Sequence, residues 1–262
     1  MVLLMKLSGF LEKFRFNQKT AEVSLKIRTA SVSDCGGKSI NDDTVKILQE
    51  RGVYVFVGDG LGGYAGGRMA SEAAGEILIG LAKQENMTSE ASLLQAAERA
   101  NEAVKQLQEA HSGNMKTTCV FLGIEENMVR WMHIGDSRLY HFRRGKLLSQ
   151  TKDHSVSQLA VMMGEITLAQ IRHHEDRNRV LRALGAENAK PDISKEMEAA
   201  PGDAFLLCTD GFWEFVLEEE MEKLLKTVTE PDVWLKEMEK FLRERIPEDT
   251  DNYTAAAVFI AG

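Results

Sequence analysis

Apolar positions recur along this chain with two periods, and the changes of period mark its elements. At the N-terminus Leu3, Leu4, Leu7, Phe10, Leu11 and Phe14 recur at helical spacing, with Lys6, Lys13 and Arg15 between them. This predicts a short amphipathic helix with a basic face within residues 1–20. Such a face packs on the body of a domain, or else meets a membrane surface or a partner. Residues 21–33 and 44–57 hold two strand candidates, the second closing on VYVFV. Helical spacing takes over at 66–82, where Ala70, Ala73, Ala74, Ile77, Leu78 and Leu81 share a face. It returns at 89–111 through Leu93, Leu94, Ala97, Val104 and Leu107. Strand candidates follow at 117–124, 128–134, 137–143 and 146–150, with Gly145 in RRGK marking a tight hairpin turn. Residues 156–182 are mixed and partly helical. A strand at 203–209, two helices within 217–246 and a last strand, TAAAVFI over 254–260, complete the pattern.

Strands come in a block, then helices, then strands again. That order predicts an α+β fold of antiparallel sheets with helices packed outside, not a doubly wound parallel sheet. No repeat, low-complexity stretch or Pro/Gly-rich linker divides residues 21–262, which read as one domain behind the 1–20 extension.

Composition narrows the class. A chain of 262 residues is long enough for a sizeable core. The formal net charge of −8 argues against a nucleic-acid binder held by phosphate contacts, and weakly favours a site that gathers cations. Cys35, Cys119 and Cys208 are odd in number and have no metal-ligand spacing. Cys119 and Cys208 lie in apolar runs, as free thiols of a reducing compartment do, so a cytoplasmic location is expected. No stretch is long and apolar enough to span a bilayer. MVLLMKLSGF lacks the basic start and the small-residue cleavage site of a signal peptide.

One motif asks for a nucleotide. Gly58-x-Gly60-x-x-Gly63 follows an apolar run, which is the dinucleotide-binding spacing. Its context fails, because the helix after Gly67 leads to ENMTSE and a second helix instead of an apolar strand. Asp59 inside the motif would also repel a pyrophosphate. The ends of the apolar runs are more informative. VYVFVG leads into Asp59-Gly60, WMHIG into Asp136, and FLLCT into Asp210-Gly211; the last strand begins after Asp251-Asn252. Strands crossing a core deliver their end residues to its edge, so four such aspartates make one acidic cluster that repels itself without a cation. Carboxylates and carbonyls without Cys or His select hard ions such as Mg²⁺ or Mn²⁺. Singly, each aspartate is a strand-end turn residue; it is the fourfold repetition that points to a metal.

The chain resembles the metal-dependent serine/threonine protein phosphatases of type 2C, in their short bacterial form. The resemblance runs from about residue 28 to the end. It is carried in order by KSINDD, VGDGLGGYAGGRMAS, HIGDSRLYHFRRGKLLSQTKDHS, GEIT, NRVLRALG, GDAFLLCTDGFWEFV and DTDNYTAAAVFI. It implies two antiparallel sheets face to face with helices outside, and a centre of two Mn²⁺ or Mg²⁺ ions with a place for a third. By the same resemblance Asp59 bridges two metals, Gly60 gives a carbonyl oxygen, and Asp210 and Asp251 add carboxylates. Asp136 with Asp210 holds the third ion, and Asp43 and Asn252 support the site. Asp59 and Asp210 are then the residues on which catalysis rests. The implied reaction is hydrolysis of phosphoserine and phosphothreonine by water that the ions activate, without a phosphoenzyme. The implied partners are phosphoproteins made by a Ser/Thr kinase, met by a monomer.

Three positions depart from the family. Lys38 stands where an arginine usually grips the substrate phosphate; a Lys keeps the charge and loses the bidentate fork. It reads either as a phosphate contact or as a solvated lysine before a turn. Asp42 replaces a Glu that reaches a metal through water, and is one methylene shorter. Leu61 stands where some eukaryotic members carry a general-acid His. His133 and His154 lie near motifs as packed or capping residues, and His173 and His174 are expected at solvent.

Rival readings are weaker. An esterase with Ser137 as nucleophile wants a base histidine late in the chain, and the last here is His174. A calcium loop on Asn41, Asp42 and Asp43 lacks the Gly and the closing Glu at their offsets. A phosphatase-like module that binds phosphoproteins without catalysis stays open, favoured by Lys38 and Asp42 and opposed by the retained acidic cluster.

Overall fold

The stretch Val53–Gly58 is buried along its whole length, and its two faces meet different neighbours. Tyr54 and Phe56 pack among helix side chains, whereas Val53, Val55 and Val57 pack against the other sheet. A strand apolar on both faces has to be covered on both, and the layers follow from that requirement. The structure, a computed structural model, describes residues 25–62 and 66–262. The helix expected within 1–20 lies outside them, as does Gly63.

In chain order the first strands are β1 (Lys26–Asp34), β2 (Thr44–Gln49), β3 (Val53–Gly58) and β4 (Gly60–Leu61). Helices α1 (Gly66–Ala82) and α2 (Glu90–His111) follow. Then come β5 (Lys116–Thr117), β6 (Cys119–Glu125), β7 (Met128–Ile134), β8 (Arg138–Arg143) and β9 (Lys146–Gln150). Helix α3 (Val156–Met163) and a 3₁₀ turn over Leu168–His173 precede β10 (Asp192–Ile193), β11 (Met197–Glu198) and β12 (Asp203–Cys208). The chain ends with α4 (Asp210–Trp213), α5 (Glu218–Leu225), α6 (Pro231–Arg245) and β13 (Tyr253–Ala261).

All pairings are antiparallel. One sheet runs β1-β13-β12-β8-β9; the other runs β10-β7-β6-β3-β2, with β11 also on β7. Between them lie Val55, Val57, Val120, Leu122, Leu139, Phe205, Leu207, Ala256 and Val258. The opposite faces of the same strands carry Phe121 and Met132 under α1 and α2, and Phe142, Leu206 and Phe259 under α5 and α6. The result is the expected α-β-β-α layering. The inner strands β3, β6, β12 and β13 read apolar on both faces because each sheet is covered twice.

The structure refines the expected elements. The candidate at 44–57 is two strands, β2 and β3, joined by a tight turn in which Glu50 N–H donates to the Gly52 carbonyl at 3.1 Å. The hairpin at Gly145 is present, with Arg144 at φ 51° and Gly145 at φ 72°, the signature of a type I′ turn. The two-residue strands β4, β5, β10 and β11 and the one-turn α4 were not anticipated, since two to four residues carry no period.

Candidate metal centre

Each of the four strand-end aspartates is held by its own backbone neighbourhood. After β3, Asp59 N–H donates to Thr118 Oγ1 at 2.8 Å, and the Asp59 carbonyl accepts from Thr118 N–H and Thr117 Oγ1, each at 2.9 Å. Asp136 sits in the β7–β8 turn after Gly135, whose φ of +105° favours glycine. Asp210 opens α4 after β12, and Gly211 N–H donates to its carboxylate at 2.7 Å. Asp251 precedes β13, and Asn252 N–H donates to its carboxylate at 2.9 Å. These ends meet at one edge of the sandwich, where the four aspartates, Asp42, Gly60 and Asn252 line a cavity of about 290 Å³.

The glycine motif now has a packing explanation. A Cβ on Gly60 would lie 2.2 Å from the Gly67 carbonyl oxygen, and one on Gly67 would lie 2.3 Å from that of Gly60. The two backbones touch where β4 passes the start of α1. These glycines serve close approach of chain to chain beside Asp59.

Burial and mutual repulsion set the charge state of the cavity. Burial, followed by the fields of Asp210, Asp43, Asp136 and Asp251, holds the Asp59 carboxyl well above the usual carboxylate range. Asp210 is raised in the same direction by burial and then by Asp136, Glu214 and Asp251. Asp136, 2 % exposed, is pushed up to about 7 by burial and Asp153. Asp136 Oδ1 and Asp43 Oδ1 are buried without a hydrogen-bond partner. Buried polar atoms are rarely left unmatched, and a ring of buried carboxyl oxygens that oppose one another's charge and lack partners fits a hard divalent cation. Among the described residues the aspartates form no trio with ligand atoms all within 4.8 Å of one another.

Supports come from far along the chain. Asn252 Nδ2 donates to the Cys35 and Ile40 carbonyls, both at 2.9 Å, and Asn252 Oδ1 accepts from Asp42 N–H at 2.8 Å. It staples the 35–42 loop to the cavity. Asp43 accepts from Thr209 Oγ1 at 2.8 Å, which ties it to the residue before Asp210. Asp42 Oδ1 accepts from Arg68 N–H at 3.0 Å, so one oxygen of this shorter acid is committed to the first turn of α1.

Sequence reasoning missed the brace behind Asp136 and Asp210. Trp213 Nε1–H donates to the Asp136 carbonyl at 3.0 Å. The Arg138 guanidinium lies 3.4 Å from the centre of the indole ring and is clamped by Asp153 through bonds of 2.8 and 2.7 Å. His154 closes the other side. Its N–H donates to the Gly135 carbonyl at 2.8 Å, and its Nδ1 accepts from Gly135 N–H at 3.1 Å. The signal was the alternation of β8, which sends Arg138 to the helix side of its sheet with Tyr140, but a buried arginine there is not readable from period alone.

The remaining candidates fall into place. Lys38 lines an adjoining cavity of about 220 Å³ that shares Asp210 and Asp251 with the first. Leu61 forms an apolar part of the wall. The Ser137 hydroxyl is buried against Thr118 Oγ1 at 2.7 Å, not beside a base, which removes the esterase reading. His173 is exposed, whereas His174 is half-buried and its Nδ1 accepts from Asp176 N–H at 3.1 Å. His133, His154 and Asp192 do place ligand atoms within 4.8 Å of one another. Their hydrogen bonds argue against an ion there. His133 Nε2 faces the Lys152 carbonyl at 2.8 Å, and the His154 Nδ1 lone pair is used by Gly135, so His154 Nε2 carries the proton facing Asp192.

Known proteins share this fold. The profile of protein phosphatase 2C matches residues 33–245. The serine/threonine protein phosphatase PstP of Mycobacterium tuberculosis is 32% identical over 209 residues, 79% of this chain and 40% of that protein. The chain thus matches less than half the length of PstP. The serine/threonine phosphatase stp of Listeria monocytogenes is 32% identical over 206 residues, 74% of this chain and 77% of its own length. The crystal structure of the PstP catalytic domain in complex with two manganese ions superposes with a TM-score of 0.80 at 29% identity, over 91% of this chain and all of that one. With its motifs in order on this sandwich, the chain belongs to the protein phosphatase 2C family.

Proposed function

We propose that this chain is a Mn²⁺- or Mg²⁺-dependent protein serine/threonine phosphatase. The observation that carries the reading is the cavity at the sandwich edge, where Asp59, Asp136, Asp210 and Asp251 converge and a buried Asp136 oxygen has no partner. Asp59, Asp210, Asp251 and the Gly60 carbonyl would hold two ions, and Asp136 with Asp210 a third; Asp42 would contribute through water. Bound there, the ions supply acidified water and neutralise phosphoryl charge. The chain supplies the rest. Asn252 and Asp43 hold the ligand-bearing segments in register, and Trp213, Arg138 and His154 hold the Asp136 turn. Lys38 meets the substrate phosphate as a point charge from the adjoining cavity. Leu61 has no proton to give the leaving oxygen, and the buried Ser137 offers no side-chain nucleophile.

The substrates are then phosphoproteins made by a Ser/Thr kinase, and the enzyme works as a cytoplasmic monomer. No helix among the described residues is long and apolar enough to cross a membrane, and Cys119 and Cys208 are buried free thiols. The test is turnover of p-nitrophenyl phosphate and of phosphothreonine peptides by metal-replete protein. Activity with Mn²⁺ that disappears in EDTA is expected. Metal-replete protein that binds phosphopeptides and releases no phosphate would instead make it a binding module.

A further inference from the structure

The metal cavity opens on one side into a second trough of about 410 Å³, and the two share Leu61, Gly62, Asn178 and Val180 as a common wall. Their charges are opposite. Five aspartates line the metal cavity. The trough is lined by Lys116, Arg179 and Arg182 together with Asn114, and by no carboxylate among the described residues. In a chain of net charge −8, three cations around one acid-free hollow are a local exception. The adjoining cavity on the other flank differs, since Lys38 and Arg177 there are mixed with Asp210, Glu214, Asp249 and Asp251.

The cations stand on anchored backbone. Lys116 is in β5, directly opposite Leu61 of β4, two residues from Asp59. The far side of β5 is tied to the trough's other wall, because Thr117 and Leu184 exchange backbone bonds of 3.1 and 2.8 Å. That wall, residues 179–184, is tied again where Val156 N–H donates to the Arg179 carbonyl at 3.0 Å and Leu181 N–H to the His154 carbonyl at 2.7 Å. Arg179 pairs with Asp176 at 3.0 Å and Arg182 with Asp192 at 3.1 Å, while Lys116 has no carboxylate within 4.0 Å among the described residues. The Arg179 side chain is 68% exposed, so its pair with Asp176 is weak and exchangeable.

We propose that this trough is a substrate subsite that binds an anionic side chain, carboxylate or phosphate, flanking the phosphorylated residue. The inference rests on the phosphatase reading of the neighbouring cavity. A peptide whose phosphoryl group lies among the aspartates continues past Leu61 and Val180 into the trough, where an anion meets Lys116 first and the two arginines beyond it. Such an anion gains charge-assisted hydrogen bonds, and a basic residue at the same place meets repulsion. The subsite therefore sorts phosphoproteins by the charge of the sequence around the phosphate.

The test uses phosphorothioate threonine peptides, which resist hydrolysis, with alanine, glutamate, a second phosphothreonine or lysine scanned through the three positions on each side. Binding to the Mn²⁺-loaded protein is read by fluorescence anisotropy. Affinity about fivefold higher for an anion than for alanine on one side of the phosphothreonine is expected, with lysine weaker than alanine there. The glutamate and phosphothreonine arms show whether a carboxylate suffices. In Lys116→Glu the preference should reverse, and in Arg179→Ala it should shrink, while both keep wild-type turnover of p-nitrophenyl phosphate, which is too small to reach the trough. Equal affinity for all flanks, or a preference unchanged in both variants, overturns the subsite. Turnover of p-nitrophenyl phosphate is scored separately: its absence in the wild type would sink the phosphatase reading, and the anisotropy ratios would still decide the trough.

Discussion

Replacing Trp213 by Phe separates two contacts that one indole makes. The ring stays under Arg138, and only the Nε1–H bond to the Asp136 carbonyl is lost. That leaves a buried carbonyl without its donor, at a cost of about 1–3 kcal/mol, and frees the turn that carries Asp136. Trp213→Phe should weaken Mn²⁺ binding by roughly tenfold, in the range of residues that orient metal ligands. Isothermal titration with Mn²⁺ checks this, and wild-type affinity would show that the brace is only packing. Asp59→Asn and Asp210→Asn act on the ligands themselves. Each should lower kcat by more than about 100-fold while circular dichroism shows the fold intact, because each removes a negative charge that burial and its neighbours oppose. Near wild-type rates in either would contradict the assignment. Lys38→Ala should raise KM more than it lowers kcat, since a point charge on the ground-state phosphate binds substrate without choosing the transition state; unchanged kinetics would return Lys38 to a solvated role.

At the scale of elements, the 35–42 loop depends on one side chain. Asn252 holds the Cys35 and Ile40 carbonyls and the Asp42 N–H, and its own backbone lies where a Cβ on Gly211 would come within 2.1 Å of its carbonyl oxygen. Asn252→Ala should leave β12 and β13 paired and release the loop, seen as faster amide hydrogen exchange confined to about residues 35–43. Unchanged exchange there would place the loop's order elsewhere. This contact also shows what could be read in advance. The long strands β3, β6, β12 and β13 were legible because both faces are apolar, and the aspartates were legible because they end those runs. Asn252 could be placed beside the site by resemblance, but its partners lie more than 200 residues away in sequence, and no local period encodes such a bond. Arg138, Asp153 and Trp213 were hidden because a side-chain bond between different elements leaves no period, even at separations of 15 and 77 residues. The split of 44–57 was hidden differently: Glu50-Arg51-Gly52 is a turn of only three residues, too short a break to separate the two strands by pattern.

The whole molecule is acidic at one point of its core, and that makes stability a function of pH and metal together. Four buried aspartates have carboxyls raised from the ordinary value of 3.8: Asp43 and Asp136 to about 7, and Asp59 and Asp210 well above that ordinary value. In each case burial is the first cause, so the folded chain keeps protons that the unfolded chain releases. Their stabilising effect is complete below pH 3.8 and is lost as pH rises through the folded values. His133 and His154 work in the opposite direction. Burial lowers both from 6.5, His154 to about 4, so they favour the fold increasingly as pH rises toward 6.5 and add nothing further above it. The two effects therefore oppose each other from about pH 4 to 6.5 and separate above it. From pH 6.5 to 8 the metal-free protein should lose stability steadily, read as a falling Tm in EDTA. Asp59→Asn should flatten that slope, because it removes one of the titrating groups. Mn²⁺ competes with the same protons, so saturating Mn²⁺ should raise Tm more at pH 8 than at pH 6.5, by mass action on the folded state alone. A metal-free Tm that stays level or climbs between pH 6.5 and 8 would mean that the aspartates are already ionised in the fold, and that the cavity is solvated well enough to carry their charge without an ion.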